Sequence, residues 1–327
     1  AAGVEQDRIE INVNSFDDVG IDSVRLVARQ DGNEFYSLRL RTPPFTFQVQ
    51  MPSYDPNNTN RNVVEFALEA IDTYGAAFGD LDRHIARETV QVEILEDQAP
   101  TVAIGIPQDG SQVLEGESIL VQINAVDDIG IDHVVLQARG LVGGDRTFTD
   151  TTFPYEFLVT VPYGQSGTDI ELSASTTELR STGTARSVTA PNTVTVTVDR
   201  DVDAPDIVVQ LPLETATTVA EKRNLPFRAI VEDNVDVVLV KALLFVDVNQ
   251  DAIFEDTEQQ AQQILLRPPY AGSLRVGTID GYLGSVDANV SQLALQFRLV
   301  AQDGAGNTSV VTRPVTLHRN LPPQIQQ

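Results

Sequence analysis

The feature that most constrains this chain is a short acidic phrase that returns twice. DDVGID at 17–22 comes back as DDIGID at 127–132 and, more loosely, as EDNVDV at 232–237, intervals of 110 and 105 residues. The flanks repeat with it. An alternating stretch precedes each copy: RIEINVNSF (8–16), SILVQINAV (118–126) and LPFRAIVE (225–232). In the first of these Ile9, Ile11 and Val13 share one face while Glu10, Asn12 and Asn14 share the other, the period of two of a half-buried strand. A second strand follows each copy: SVRLVAR (23–29), HVVLQAR (133–139) and VVLVKALLFV (237–246). Proline and an aromatic then open PPFTFQV (43–49), FPYEFLV (153–159) and PPYAGSL (268–274). VEFALEAID (64–72), IELSAST (170–176) and LQFRLVAQD (295–303) come next, and each unit closes on a strand leading into proline: VQVEILEDQAP, VTVTVDRDVDAP and VTLHRNLPP.

A period of this length exceeds that of solenoid repeats, so each copy is a domain. Several short strands per unit, separated by turn signals and lacking any helical period, predict an antiparallel β-sandwich. The best helical candidate, EDTEQQAQQILL at 255–266, has too few apolar positions and reads as a loop leading into a strand. The expected divisions are 1–97, 98–203 and 204–320, with 321–327 the start of a further unit or a tail. The second and third units begin with a strand after their proline (TVAIGIP, DIVVQLP) and a second short segment, whereas in the first AAGVEQD leads directly into RIEINV. Either that first strand lies outside this sequence, or a neighbour donates it.

Composition narrows the chemistry. With 47 acidic against 22 basic residues the formal charge is −25, which repels nucleic acid and anionic membranes and favours hard cations. No cysteine is present, which excludes a disulfide framework, a zinc–thiolate site and a cysteine nucleophile. The longest apolar run, 237–246, is too short to span a bilayer and contains Lys241. His84, His133 and His318 fall in unrelated places, and no G-x-S-x-G turn or phosphate loop occurs. The expectation is a protein that is not an enzyme.

One segment has ligand spacing. In DVNQDAIFEDTE (247–258), Asp247, Asn249 and Asp251 fall at positions 1, 3 and 5 of an EF-hand-type loop. Ile253 would offer its carbonyl at 7, Glu255 would stand at 9 and Glu258 would be the bidentate ligand at 12. Ala252 departs from the pattern, which wants Gly there, and no flanking helices are evident. The alternative is an acidic hairpin loop in which Asp and Asn are ordinary turn formers.

The stretch PTVAIGIPQDGSQVLEGESILVQINAVDDIGIDHVVLQARG (101–140 with its proline) resembles the front half of a bacterial immunoglobulin-like repeat, and AQDGAGNTS (301–309) the loop before the last strand of one. The resemblance extends over all three units and implies three tandem immunoglobulin-like sandwiches forming an elongated rod, as in adhesins or as spacers beside enzymatic modules. In such a sandwich the loop after the second strand and the loop before the last lie at the end where the chain enters. That would bring Glu96 and Asp97 to Asp127 and Asp128 at the first junction. At the second, Asp199, Asp201 and Asp203 would meet Glu232, Asp233 and Asp303. DRDVDAP (199–205) is similar to the cadherin linker, where calcium binds; solvated turn acids are the alternative. The resemblance thus implies an extracellular or cell-surface segment, prokaryotic, possessing further repeats or neighbouring subunits as partners and a glycan or protein as ligand. It leaves three roles open: a rod stiffened by calcium, a carbohydrate-binding or spacer module, and a filament subunit completed by a donated strand.

Overall fold

A computed structural model of the chain describes residues 1–74, 84–180, 183–215, 217–286 and 289–320. The tail 321–327, expected to begin a further unit, lies outside the described residues. Seven strands make the first unit: β1 (Ala2–Val4), β2 (Arg8–Val13), β3 (Ile21–Gln30), β4 (Asn33–Leu40), β5 (Phe45–Gln50), β6 (Val63–Asp72) and β7 (Ile85–Leu95). The second has β8 (Thr101–Ile106), β9 (Ser111–Leu114), β10 (Ser118–Val126), β11 (Ile131–Arg139), β12 (Arg146–Asp150), β13 (Tyr155–Thr160), β14 (Asp169–Glu178), β15 (Ser187–Thr189) and β16 (Val194–Asp199). The third has β17 (Asp206–Leu211), β18 (Thr217–Ala220), β19 (Asn224–Glu232), β20 (Leu239–Val246), β21 (Gln259–Leu265), β22 (Tyr270–Arg275), β23 (Gln292–Gln302) and β24 (Thr308–His318), with one short helix, α1 (Ile279–Leu283).

The sheets repeat the same order. The larger runs β1-β7-β6-β3-β4 in the first unit, β9-β16-β14-β11-β12 in the second and β18-β24-β23-β20-β21 in the third. In each, the short first strand pairs parallel with the last: β1 with β7, β9 with β16, β18 with β24. The smaller sheets are β8-β10-β13 and β17-β19-β22, but β2-β5 alone in the first unit. Each unit is therefore a β-sandwich of immunoglobulin type.

The alternation in sequence becomes the two faces of each strand. Ile119, Val121 and Ile123 of β10 point inward and Ser118 and Leu120 outward; Leu225, Phe227, Ala229 and Val231 do the same in β19. Three separate clusters of buried side chains result, spanning Val24–Ile94, Val102–Val198 and Ile207–Leu317. Leu26, Leu136 and Ala242 hold matching positions opposite Leu68, Ala174 and Leu299, and all three are fully buried.

Two expectations need correction. The first unit does possess the second short segment: β1 is the counterpart of β9 and β18. The edge strands β4 and β12 were not expected from the sequence, whereas β21 lies where 255–266 reads as a loop leading into a strand. The side chains of β4 and β12 are mostly exposed on both faces, as in NEFYSLRL of β4, so no apolar alternation marks them.

Candidate metal centre

The recurring acidic phrase is first a turn. The Oδ1 of Asp17 accepts the amides of Val19 (3.0 Å) and Gly20 (3.3 Å). The Oδ2 of Asp127 accepts those of Ile129 (3.0 Å) and Gly130 (2.9 Å). In the third unit Asp233 fills this role, accepting from Val235 and Asp236 at 3.0 Å each. The structural repeat is thus shifted by one residue there: Glu232 is not the leading acid but the last residue of β19, exposed and paired in register with Asp206. In the second and third units the second residue of the pair ties the turn to the linker. Asp128 Oδ2 accepts the amide of Gln98 (3.2 Å), and Asn234 Nδ2 donates to Asp201 Oδ1 (3.1 Å).

At the second junction three carboxylates converge. Asp201 comes from the linker, Asp233 from the turn after β19, and Asp303 from the loop after β23; each offers an oxygen lying within 4.8 Å of the other two. Asp201 and Asp303 are both 1% exposed. Asn307 organises the group. Its amide and its Nδ2 both donate to Asp303 at 2.7 Å, and Nδ2 also reaches the carbonyls of Asp201 (3.1 Å) and Asp203 (3.0 Å). Asp201 Oδ2 and Asp233 Oδ1 are buried and accept no hydrogen bond. Burial pushes the Asp233 carboxyl above its ordinary range, and the charges of Asp201 and Asp303 push the same way against the turn's two amides. Among the described residues no Lys, Arg or His forms an ion pair with any of the three. Asp199 and Asp203 are exposed and, with Glu232, stay outside the cluster; the Asp203 amide donates to Asp201 Oδ1 (3.2 Å).

Tyr163 of the second unit crosses this junction. Its hydroxyl donates to Asp236 Oδ1 at 2.5 Å, which also accepts the Gly304 amide (3.2 Å). The ring lies against Gly116 and Gly304, where an added Cβ would come within 2.4 and 2.1 Å of it. Burial, then the bond and charge of Asp236, drive the Tyr163 hydroxyl far above its usual range, so it remains a donor.

The first junction places its acids otherwise. Asp97 is 7% exposed and meets the guanidinium groups of Arg180 and Arg186. Those arginines also grip the fully buried Glu178, Arg180 Nε at 2.8 Å and Arg186 Nε at 3.1 Å. The sequence reading missed all three residues. Glu96 is exposed and reaches none of them.

In the loop 247–258 the oxygens are already engaged. Asp247 accepts the amides of Asp251 and Ala252 (3.1 Å each), and Asn249 Oδ1 accepts that of Asp251 (3.0 Å). Asp251 accepts from Ile253 (2.8 Å) and from Asn249 Nδ2 (3.1 Å). Glu258 accepts from Val248 (3.0 Å) and Glu255 (3.2 Å). Ala252 takes φ +64°, the left-handed conformation for which a calcium loop carries Gly. The loop is thus ordered by its own amides, and among the described residues the carboxylates that converge within 4.8 Å of one another are those of the junction.

Residues 100–198 match the bacterial Ig domain family. The units on either side share its strand order, so the chain is a tandem array of Ig-like repeats whose middle one matches the bacterial family. No curated protein matches it. Similar solved structures include a calcium-stabilised adhesin with which an Antarctic bacterium binds ice (14% identity, 96% of this chain and 69% of that one, TM-score 0.27). Others are the fibronectin(III)-like modules of Clostridium thermocellum CbhA (16%, 69% and 100%, 0.25) and the N-terminal four Ig domains of a Dscam1 isoform (10%, 98% and 76%, 0.29).

Proposed function

We propose that this chain is a non-enzymatic structural segment of an extracellular surface protein, a spacer whose second junction is fixed by a divalent cation, calcium by its chemistry. The observation that carries this is the convergence of Asp201, Asp233 and Asp303 with two buried oxygens left unpartnered. An unpaired charge at such depth is costly, and a cation offsets both the desolvation and the mutual repulsion. The donors are all oxygen, the set preferred by hard cations rather than by zinc or copper. Asp201, Asp233 and Asp303 would hold the ion. It would supply charge neutralisation alone, and with it the linker, the turn after β19 and the loop after β23 would be locked together.

A spacer gains reach when its joints do not bend. The Tyr163–Asp236 contact already registers the second unit on the third, and the cation would stiffen that contact against the acidic repulsion. A carbohydrate-binding role draws less support: among the described residues the well-exposed aromatics Phe16, Phe35, Tyr74 and Phe153 do not lie on one strand or in one loop.

Isothermal titration of the chelator-treated chain with calcium tests the reading. One saturable site in the wild type, lost in Asp201→Asn, is expected. Heats that do not saturate, or a site untouched by Asp201→Asn, would remove the cation from the account.

A further inference from the structure

A groove of about 600 Å³ on the flank of the first unit carries Gln6, Gln30, Phe35, Tyr36, Gln50 and Ser53 on its walls. No residue that lines it is charged, although charged residues make up 21% of the chain. β4 supplies Phe35 and Tyr36 from one edge of the larger sheet, and β5 ends at Gln50. β1 holds the opposite edge of that sheet. In the sister units β8 and β17 likewise lie across β10 and β19 from β13 and β22, the counterparts of β5. The strand that leads into a unit therefore runs on the other flank and leaves this one open.

The polar groups of the groove are held in place. Gln6 Nε2 donates to Ser53 Oγ at 3.1 Å, and Gln30 Nε2 donates to the Arg61 carbonyl at 2.7 Å. Gln30 Oε1 and the Tyr36 hydroxyl make no hydrogen bond among the described residues. Burial pushes that hydroxyl above its ordinary range, so it stays a donor. The sister units do not repeat the set. Gln6, Gln30, Gln50 and Ser53 fall where the second unit has Gly116, Gly140, Thr160 and Tyr163. The third has Lys222, Arg275 and Thr278 in place of Gln6, Gln50 and Ser53.

We propose that this groove binds a neutral carbohydrate chain, one sugar ring resting on Phe35 and its hydroxyls held by the carboxamides of Gln6, Gln30 and Gln50. A carboxamide sets a donor beside an acceptor, which matches two neighbouring sugar hydroxyls. Phe35, 42% exposed, offers its ring to the C–H face of the sugar. The absence of charge on the walls removes any preference for anionic or cationic ligands. The volume falls within the ~300–1,000 Å³ of small-molecule sites, which combine an apolar wall with a few placed polar groups. One stacking ring makes this a single point of contact, not the extended platform of a dedicated carbohydrate-binding face. It does not depend on the cation at the second junction, and it would give a spacer a hold on the polymer it passes.

The test titrates the intact chain with cellohexaose, xylohexaose, maltohexaose and chitohexaose and follows amide hydrogen exchange. Hexagalacturonate serves as the anionic control, and decaproline as a peptide control, because aromatic-lined grooves also take proline-rich segments. At ten times its Kd, at least one neutral hexasaccharide should raise protection of the amides of residues 30–36, 50 and 51 about elevenfold by mass action. Those of residues 118–126 should stay unchanged. Phe35→Ala should weaken that binding about tenfold, and Tyr36→Phe, which deletes only a hydroxyl, about fivefold. No protection by any neutral hexasaccharide at millimolar concentration would overturn the proposal. So would equal protection by hexagalacturonate, protection by decaproline alone, or sugar binding unchanged in Phe35→Ala.

Discussion

At the first junction Asp97, Asp127 and Glu178 hold the positions that Asp201, Asp233 and Asp303 hold at the second: linker, turn, and the end of the strand before the last loop. In both, a buried linker carboxylate faces a buried carboxylate of the following unit. They differ in what neutralises the charge. Arg180 and Arg186 reach into the first junction and bind both acids. The second has Asn234 and Asn307 in place of cations, which can order carboxylates without cancelling their charge. The first joint thus brings its own positive charge, although Asp97 Oδ1 and Asp127 Oδ1 are buried there without a hydrogen bond; on the proposed reading the second joint obtains its positive charge from solution.

That contrast can be broken in several places. The largest effect is expected at the first junction. Arg180→Ala leaves Asp97 and Glu178 buried with half their partners, and removal of one member of a buried ion pair costs about 3–5 kcal/mol. Thermal melts should show the middle unit losing that stability in calcium and in chelator alike. At the second junction saturating calcium, at a hundred times its Kd, should add about 2.7 kcal/mol to the wild type. Asp303→Asn should lose that increment without lowering the melt in chelator.

Smaller effects probe the seam itself. Gly304→Ala places a methyl group against the Tyr163 ring, and overpacking of this kind costs about 1–3 kcal/mol. Tyr163→Phe deletes only the bond to Asp236 and should cost about 1 kcal/mol; equilibrium unfolding measures both. The smallest and most specific effect is one of pH. Asp233 has a folded-state pKa raised by burial and by its neighbours' charge, so its ionised form opposes folding. In chelator its contribution should therefore improve as pH falls through that raised value, levelling off below the unfolded carboxyl value of about 3.9. In calcium the sign reverses, because protons displace the cation. Melts of Asp233→Asn, which cannot titrate, should lose both trends.

Much of this was legible in the sequence, for identifiable reasons. Strands such as β10 and β19 bury one face, so their alternation is written in the residues. The edge strands β4 and β12 bury little and leave no such trace. Asp201, Asp233 and Asp303 could be found because each adjoins a readable strand end. Glu232 was misassigned because a one-residue shift at EDNVDV cannot be seen without the turn's hydrogen bonds. The loop 247–258 has ligand spacing, but spacing does not reveal the amides that order its oxygens. The arginine clamp had a signal that went unread: two arginines within ELRSTGTAR, next to a strand-terminal Glu, in a chain with only 22 basic residues.

Hydrogen exchange at both junctions of the intact chain, in calcium and in chelator at matched ionic strength, tests the contrast most directly. The account predicts that chelation exposes the amides of 201–204, 233–236 and 303–307 while those of 96–99, 127–130 and 183–186 keep their protection. Equal loss at the two junctions, or none at either, would contradict it.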